Sequence, residues 1–459
     1  MSNHFQVPKT QGILSQNQAM RYHVLPPYGL LNDPNGLVYY KGYNHVFFQW
    51  NPHNTNHSYK AWGHAITTDF IHYTYLEAAL LPEENYETHG CYSGSAIVHQ
   101  DTLYVFYTGN VKAEDGSRSS YQCLATSVDG FTFKKHGPVI GHIEGYTGHV
   151  RDPKVFMQDD VFYMILGAQK NDLSGDTLVF VSTDLHQWQQ VGSLLSLPGV
   201  MGYMWECPDI IQHAFGDVFI FSPQGLNPMG MKFHNLHPTG YYLGTFNQGR
   251  FIPTTNKIEQ LDHGFEFYAP QSFIDASNRI VLYGWMGVMK SEAELSLPTK
   301  SDGWSHHLSL PREISINSFG RLTQSPLQEI DQAFKVYDYH STQTLYTEIS
   351  LYSRVCIQTI HGVDQFELII DGNVTLNYQN QVFSITRISW VDSLPELRSA
   401  KLARPLSDIR MYLDGSSLEI FINEAESVFS LRFFPEQSQL TLTITSSESV
   451  QITLAEFCE

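Results

Sequence analysis

Pairable cysteines are what this chain most plainly lacks. Cys91, Cys123, Cys207, Cys356 and Cys458 are an odd set without metal-ligand spacing, so they read as free thiols, not as a disulfide framework or a zinc site. Long apolar runs are missing too, and nothing approaches the roughly 18 residues of a membrane span. The opening MSNHFQVPKTQGILSQNQAM has no basic start followed by an apolar block and does not read as a secretory signal. These absences predict a cytoplasmic protein with no membrane partner. Positive charge is scarce: 27 Lys and Arg against 46 Asp and Glu give a formal net charge of −19, which argues against nucleic acid as a partner. One small anionic ligand in a local basic pocket remains compatible. Low-complexity segments and long amphipathic helical patterns are also absent; SPLQEIDQAFKVY is the best helical candidate and reads as a linker.

What is present is a repeated strand–turn–strand unit. A chain of 459 residues with 42% hydrophobic and 13% aromatic content is that of a folded protein of about two domains. Five stretches begin at Asp33, Ser93, Asp152, Glu206 and Ala269, about 60 residues apart, a spacing that fits β-propeller blades. Each runs from a small or acidic start through an apolar strand to a polar turn and a second β-branched, aromatic strand. The turns are Lys41-Gly42, Gln100-Asp101, Asp159-Asp160, Phe215-Gly216 and Ala276-Ser277-Asn278. Equivalent positions of radial blades lie at one depth around the channel, so Asp33, Asp152 and Glu206 are expected to converge at one mouth, in register. Three converging carboxylates repel one another, which points to chemistry.

Beyond the turn at Gly320 the pattern stays all-β. Short alternating segments such as FELIIDG, VFSITRIS and VFSLRFF, with turn signals at Asp371-Gly372 and Asp414-Gly415, predict an antiparallel β-sandwich. The fold class is therefore all-β: a five-bladed β-propeller over residues 1–325, a linker with helical character over 326–340, and a β-sandwich over 341–459. The sandwich is expected to cover apolar propeller surface.

The chemistry centres on three short motifs. Asn32-Asp33-Pro34-Asn35-Gly36 has turn composition, but it opens an apolar strand of the first repeat. Trp205-Glu206-Cys207-Pro208 sets a carboxyl between an aromatic residue and a proline; such surroundings are expected to raise its pKa, as a general acid requires. Arg151-Asp152-Pro153 places a fixed positive charge beside the third carboxyl, which is expected to keep it ionised. One raised and one lowered carboxyl is the physical basis of glycoside hydrolysis.

On these motifs the chain resembles glycoside hydrolase family 32, the β-fructofuranosidases, over nearly its full length. Asn32 through Gly36 resembles the family's nucleophile motif, Arg151-Asp152-Pro153 its transition-state-stabiliser motif, and Glu206-Cys207-Pro208 its acid/base motif. Tyr92-Ser93-Gly94-Ser95, the segments Tyr268 through Phe273 and Trp304 through Glu313, and the tail DGSSLEIFINEAE resemble further family segments. The resemblance implies Asp33 as nucleophile, Glu206 as acid/base and Asp152 as holder of fructose hydroxyls, with retention through a covalent fructosyl-enzyme. It implies a small carbohydrate substrate and a pocket lined by Asn32, Gln49, Trp62, Tyr92, Ser93, Arg151 and Trp285. It implies no metal and no organic cofactor.

His57, Lys60, Ala61 and Trp62, with Tyr203 through Pro208, look most like the family's intracellular sucrose-6-phosphate hydrolases. A phosphate on the glucose half needs cationic donors, and His57, Lys60 and Arg118 are the candidates. Plain sucrose and short fructo-oligosaccharides are alternative substrates. Two further classes fit the architecture: a non-catalytic carbohydrate-binding propeller, and an inverting five-bladed glycosidase. The intact carboxylate trio weighs against the first.

Overall fold

The structure is a computed structural model that describes residues 20–195, 201–360 and 362–458. The opening segment discussed above lies almost wholly outside the described residues. Five antiparallel sheets of four or five strands follow one another along the chain, then one ten-stranded sheet. The first strands of the five sheets are Gly29–Tyr40, Cys91–His99, Tyr146–Gln158, Met204–Ile211 and Tyr268–Ile274. Each packs against the first strands of both neighbouring blades, and the fifth packs against the first. That closed ring is a five-bladed β-propeller, as expected from the repeats.

The turns read in the sequence join first to second strands. Lys41 and Gly42, Gln100 and Asp101, and Asp159 and Asp160 all have positive φ, between 46° and 89°, the conformation of two-residue hairpin turns that match strand twist. Apolar side chains fill the gaps between blades: Phe156, Ile165, Phe219 and Phe221 between the third and fourth, Phe47, Trp62, Val105 and Tyr107 between the first and second. The ring is fastened by Trp304–Ser305, which pairs in parallel with Gly29 and Leu30. This short strand comes from a long insertion within the fifth blade, between Ile280–Trp285 and Arg312–Ile316, which also carries the short helix Ser291–Leu295.

The helical part of the expected linker is one short helix, Gln328–Gln332, and a strand starts at Phe334, inside the 326–340 stretch. Phe334 is buried, Lys335 exposed and Val336 half-buried; such alternation suits a pleated strand and gives a helix no apolar face. That strand, Phe334–Ser350, pairs along almost its whole length with Gln439–Phe457. The latter strand gives its first half to Gln365–Ile370 and its second half to Ser353–Thr359. The long pair therefore runs through both layers, and the sandwich is one sheet folded on itself. Leu440, Leu442, Ile444, Val450, Ile452 and Leu454 alternate into its core.

The face between the two units is less apolar than expected. Tyr412, Phe421, Val428 and Phe457 do pack against propeller residues such as Tyr22 and Leu308. Beside them runs a buried ion network. Arg312 donates to Glu419 at 2.5 Å and to Asp262 at 3.0 Å, and Arg387 donates to both oxygens of Glu266 at 2.7 Å. His23 bridges Asp414 and Glu419 at 2.6 and 3.0 Å. Nothing in strand periodicity announces such partners, which are remote in sequence.

Candidate active site

All five first strands carry a β-bulge at the same height. Pairing with the second strand shifts between Leu31 and Pro34, Tyr92 and Gly94, Arg151 and Lys154, Glu206 and Asp209, and Tyr268 and Gln271. A bulge sets two residues against one on the partner strand and re-aims side chains. Asp152, Cys207 and Ala269 at these bulges have φ of 63°, 44° and 49°, a left-handed backbone that non-glycine residues adopt at a cost of order 1–3 kcal/mol. Each precedes a proline, which disfavours the right-handed helical conformation for the residue before it.

The bulges correct the expected register. Aligned at these bulges on the residue before the proline, with Gly94 in the proline's place in the second blade, Asp33, Ser93, Asp152, Cys207 and Ala269 form one ring, and Asn32, Tyr92, Arg151, Glu206 and Tyr268 form another. Glu206 is thus the counterpart of Arg151, one residue away from where the repeats were expected to align it with Asp33 and Asp152. The sequence period counts residues, and it does not reveal which of two neighbours a bulge presents.

Contacts run within each ring, between neighbours and, from Cys207 to Asp33, across it. Ser93 Oγ donates to Asp33 Oδ2 at 2.6 Å, and Cys207 Sγ lies 3.9 Å from the same oxygen. The Cys207 backbone N–H donates to Asp152 Oδ2 at 3.0 Å. In the other ring Arg151 donates to Glu206 Oε1 through Nε at 2.9 Å and Nη2 at 2.6 Å. Tyr268 OH and Gln224 Nε2 donate to Glu206 Oε2 at 2.6 and 2.7 Å. Arg151 also donates to His149 Nδ1 at 3.0 Å.

These contacts reverse the expected charge states. Burial pushes the Glu206 carboxyl up, but the Arg151 charge and the hydrogen bonds from Tyr268 and Arg151 outweigh it and hold the group below its ordinary value. Asp152 is pushed up to about 7 by burial, against the pull of Arg151, with Glu206 and Asp33 adding repulsion. The reason is geometric: Arg151 forks onto Glu206 and stays 4.0 Å from Asp152. Asp33 is also raised by burial, with the Ser93 hydrogen bond opposing.

The other expected residues divide into three groups. Trp62 is fully buried and donates from its indole N–H to the Tyr92 carbonyl at 2.9 Å. It supports the strand that carries Ser93 and presents no surface to a ligand, contrary to the expected lining role. Gln49, 1% exposed, donates to the Cys91 carbonyl at 2.8 Å and braces the same strand. Lys60, His57 and Trp285 lie together on one side. Lys60 Nζ donates to Asn32 Oδ1 at 2.5 Å and to His57 Nδ1 at 2.9 Å; the Trp285 ring meets His57 edge-on at 6.0 Å. Burial lowers the Lys60 pKa to about 8, against the pull of Asp33. Arg118 stands apart, its guanidinium 5.9 Å from the Tyr92 ring centroid. The expected cationic rim is therefore split.

Sequence reasoning missed Tyr268 and Gln224 as partners of Glu206. Tyr268 had a signal, because it precedes Ala269-Pro270 just as Glu206 precedes Cys207-Pro208. Gln224, at the far end of the second strand of its blade, had none. Glu294, which accepts from His57 at 2.8 Å, comes from the insertion and lay outside every motif.

A propeller whose channel mouth gathers three carboxyls, an arginine and a tyrosine has the build of a glycoside hydrolase. Residues 23–326 match the Glycosyl hydrolases family 32 N-terminal domain, and residues 363–457 match the Glycosyl hydrolases family 32 C terminal domain. The chain belongs to glycosyl hydrolase family 32 and is an enzyme of the β-fructofuranosidase type. It is 39% identical over 433 residues to a sucrose-6-phosphate hydrolase of Bacillus subtilis, covering 92% of this chain and 90% of that one. A raffinose invertase of Escherichia coli is 34% identical, covering 92% and 91%. A solved sucrose-6-phosphate hydrolase from Lactobacillus gasseri superposes with a TM-score of 0.88 at 29% identity, covering 96% and 94%. A Bombyx mori beta-fructofuranosidase solved in complex with sucrose gives 0.86 at 30% identity, with the same coverage. Among the described residues no helix is long and apolar enough to cross a membrane.

Proposed function

We propose that the enzyme hydrolyses the terminal β-fructofuranosyl bond of sucrose 6-phosphate and of sucrose, with retention, and that it does so in the cytoplasm. The observation that carries this reading is the double ring of bulge residues, which places Asp33 against Ser93 and Glu206 against Arg151, Tyr268 and Gln224. The names of the Bacillus, Escherichia and Lactobacillus relatives support the substrate class. The reading keeps the catalytic unit at 1–325, the connector from 326, and the sandwich as a unit without a catalytic residue.

In this reading Asp33 attacks the anomeric carbon of fructose, and the C–O bond to the leaving sugar breaks as Glu206 protonates the departing oxygen. Glu206, now a carboxylate, takes a proton from water, whose oxygen displaces Asp33 and releases fructose. Glu206 must therefore gain a proton before the first step. Asp152 and Glu206 are close enough to titrate as a pair. Fructose hydroxyls that donate to Asp152 favour its ionised form. The new charge on Asp152 then repels charge on Glu206 and shifts the shared proton onto it. Arg151 and Tyr268 stabilise the carboxylate that the first proton transfer leaves on Glu206.

Arg118 is the strongest of the three phosphate candidates. Lys60 and His57 already serve Asn32 and Glu294, whereas no ion pair involves Arg118 among the described residues, and its guanidinium lies over the ring of Tyr92, the neighbour of Ser93. A charge-assisted hydrogen bond contributes about 1.5–3 kcal/mol. Arg118→Ala is therefore expected to lower kcat/KM for sucrose 6-phosphate about ten- to a hundredfold and to leave sucrose nearly unaffected. Steady-state rates on sucrose, sucrose 6-phosphate, kestose and inulin test both parts. Preference for kestose or inulin would replace the substrate, and equal losses on both sucroses would retire the phosphate contact.

A further inference from the structure

Three ligand-type side chains meet beside the pocket. Glu294 Oε1 lies 2.8 Å from His57 Nε2 and 3.2 Å from His306 Nε2, and all three atoms fall within 4.8 Å of one another. We propose that His57, Glu294 and His306 form a binding site for one borderline-soft divalent cation of the zinc class, and that its occupation inhibits turnover by closing the Trp285 side of the pocket.

The donor set and its spacing fit. Zinc binds imidazole nitrogen and carboxylate oxygen at about 2.0–2.2 Å, so tetrahedral donors stand about 3.3 Å apart. Two imidazoles and one carboxylate leave a fourth position for water, and imidazole selects zinc, copper or nickel over magnesium or calcium. The ligands come from three segments held independently. His57 lies in the loop after the second strand of the first blade. Glu294 sits on helix Ser291–Leu295, whose Ala293 carbonyl accepts from the Trp390 indole N–H of the sandwich at 3.1 Å. His306 follows the strand Trp304–Ser305 that fastens the ring.

His306 supplies a separate pointer. Its ring is fully buried, its Nδ1 has no hydrogen-bond partner, and its Nε2 is aimed at the cluster. The Trp285 Nε1 next to it is also buried without a partner. The open Nδ1 leaves His306 free to carry its ring proton there and to turn the Nε2 lone pair to the cluster.

The proton balance closes without another reagent. The cation takes the Nε2 lone pairs of both histidines. A proton carried at Nε2 moves to Nδ1 of the same ring, which is free on His306 and becomes free on His57 when Lys60 turns away. Lys60 keeps its bond to Asn32. Its charge, and that of Arg432 beyond His306, oppose the cation; Glu294, Asp33 and Glu206 favour it.

Cys207 is the competing soft ligand, since its Sγ stands 3.9 Å from Asp33. Equilibrium dialysis of the full-length enzyme against Zn2+ reads binding without any turnover, so it stands apart from the choice of substrate. One Zn2+ per chain is expected, weakened at least about tenfold in Glu294→Gln and in His57→Gln, and unchanged in Cys207→Ser. Glu294 and His57 are partly exposed, so these variants should fold even if His306→Gln does not. Co2+ in place of Zn2+ should give tetrahedral ligand-field bands without a thiolate charge-transfer band, and sucrose should compete with Zn2+ inhibition. Absence of stoichiometric binding at millimolar Zn2+, retention in Glu294→Gln, loss in Cys207→Ser, or inhibition that sucrose does not relieve would each overturn the proposal.

Discussion

At the scale of single residues, the informative feature is how Arg151 divides its charge. It sits next to Asp152 in the chain, yet it forks onto Glu206, because a bulge turns consecutive side chains toward different neighbours. Removing that charge as Arg151→Gln takes away what holds the Glu206 carboxyl low. A general acid works only while protonated, so its activity is lost as pH rises through its pKa. With Glu206 raised, the alkaline limb of the kcat/KM profile should move to higher pH, while kcat falls roughly a hundredfold from lost electrostatic stabilisation. An unmoved alkaline limb would remove Arg151 from this role. Asp33→Ala should abolish steady-state turnover with unchanged far-UV circular dichroism, and wild-type rates would end the nucleophile assignment. Glu206→Gln should spare the first step on a fructoside whose leaving group needs no proton, measured in pre-steady-state mixing.

At the scale of elements, the bulge is the device that turns a structural strand into a catalytic one. Gly94 shows how tightly it is built. A Cβ there would stand 1.9 Å from the Phe106 carbonyl oxygen and 2.7 Å from the Tyr107 Cα, both backbone atoms that cannot swing aside. Gly94→Ala must push the first and second strands of its blade apart and move Ser93, which anchors Asp33. A loss of about 2–4 kcal/mol in urea unfolding is expected, together with a fall in kcat. Wild-type stability would show that this blade has more slack than its packing indicates. The insertion in the fifth blade is a second such device: one excursion supplies the strand that fastens the ring and the helix that carries Glu294.

At the scale of the whole molecule, the propeller and the sandwich are joined by charges that cannot be reached by water. Removing one partner of such a network leaves the others buried and uncompensated, at about 3–5 kcal/mol, so Arg312→Met should lower the unfolding midpoint sharply. The network also makes the joint sensitive to pH. Burial opposes charge on His23, but the hydrogen bonds to Asp414 and Glu419 override it and raise its pKa to about 9. A histidine raised in the folded state contributes stability that is full below its unfolded value of about 6.5 and is lost as pH rises through about 9. Unfolding free energy should therefore fall between those limits, by about 3 kcal/mol, and His23→Gln should flatten that slope. A wild-type enzyme equally stable at both ends would contradict a charged His23.

The sequence by itself determined the blades, the sandwich and the three carboxyls. Period-two alternation and tight turns are local properties, and a repeat of about 60 residues counts blades directly. It could not fix the register around the channel, because a bulge changes which of two adjacent residues faces inward without changing their order. Glu206 beside Arg151, where alignment had set it with Asp152, is the result. Nor could it find Gln224, Glu294 and His306, or the Arg312 and His23 partners. Those contacts join residues that nothing local relates, and only closure of the ring and docking of the sandwich bring them within hydrogen-bonding distance. The charge states followed from that closure too: burial and the direction of one guanidinium, both tertiary facts, decided which carboxyl is raised and which is lowered.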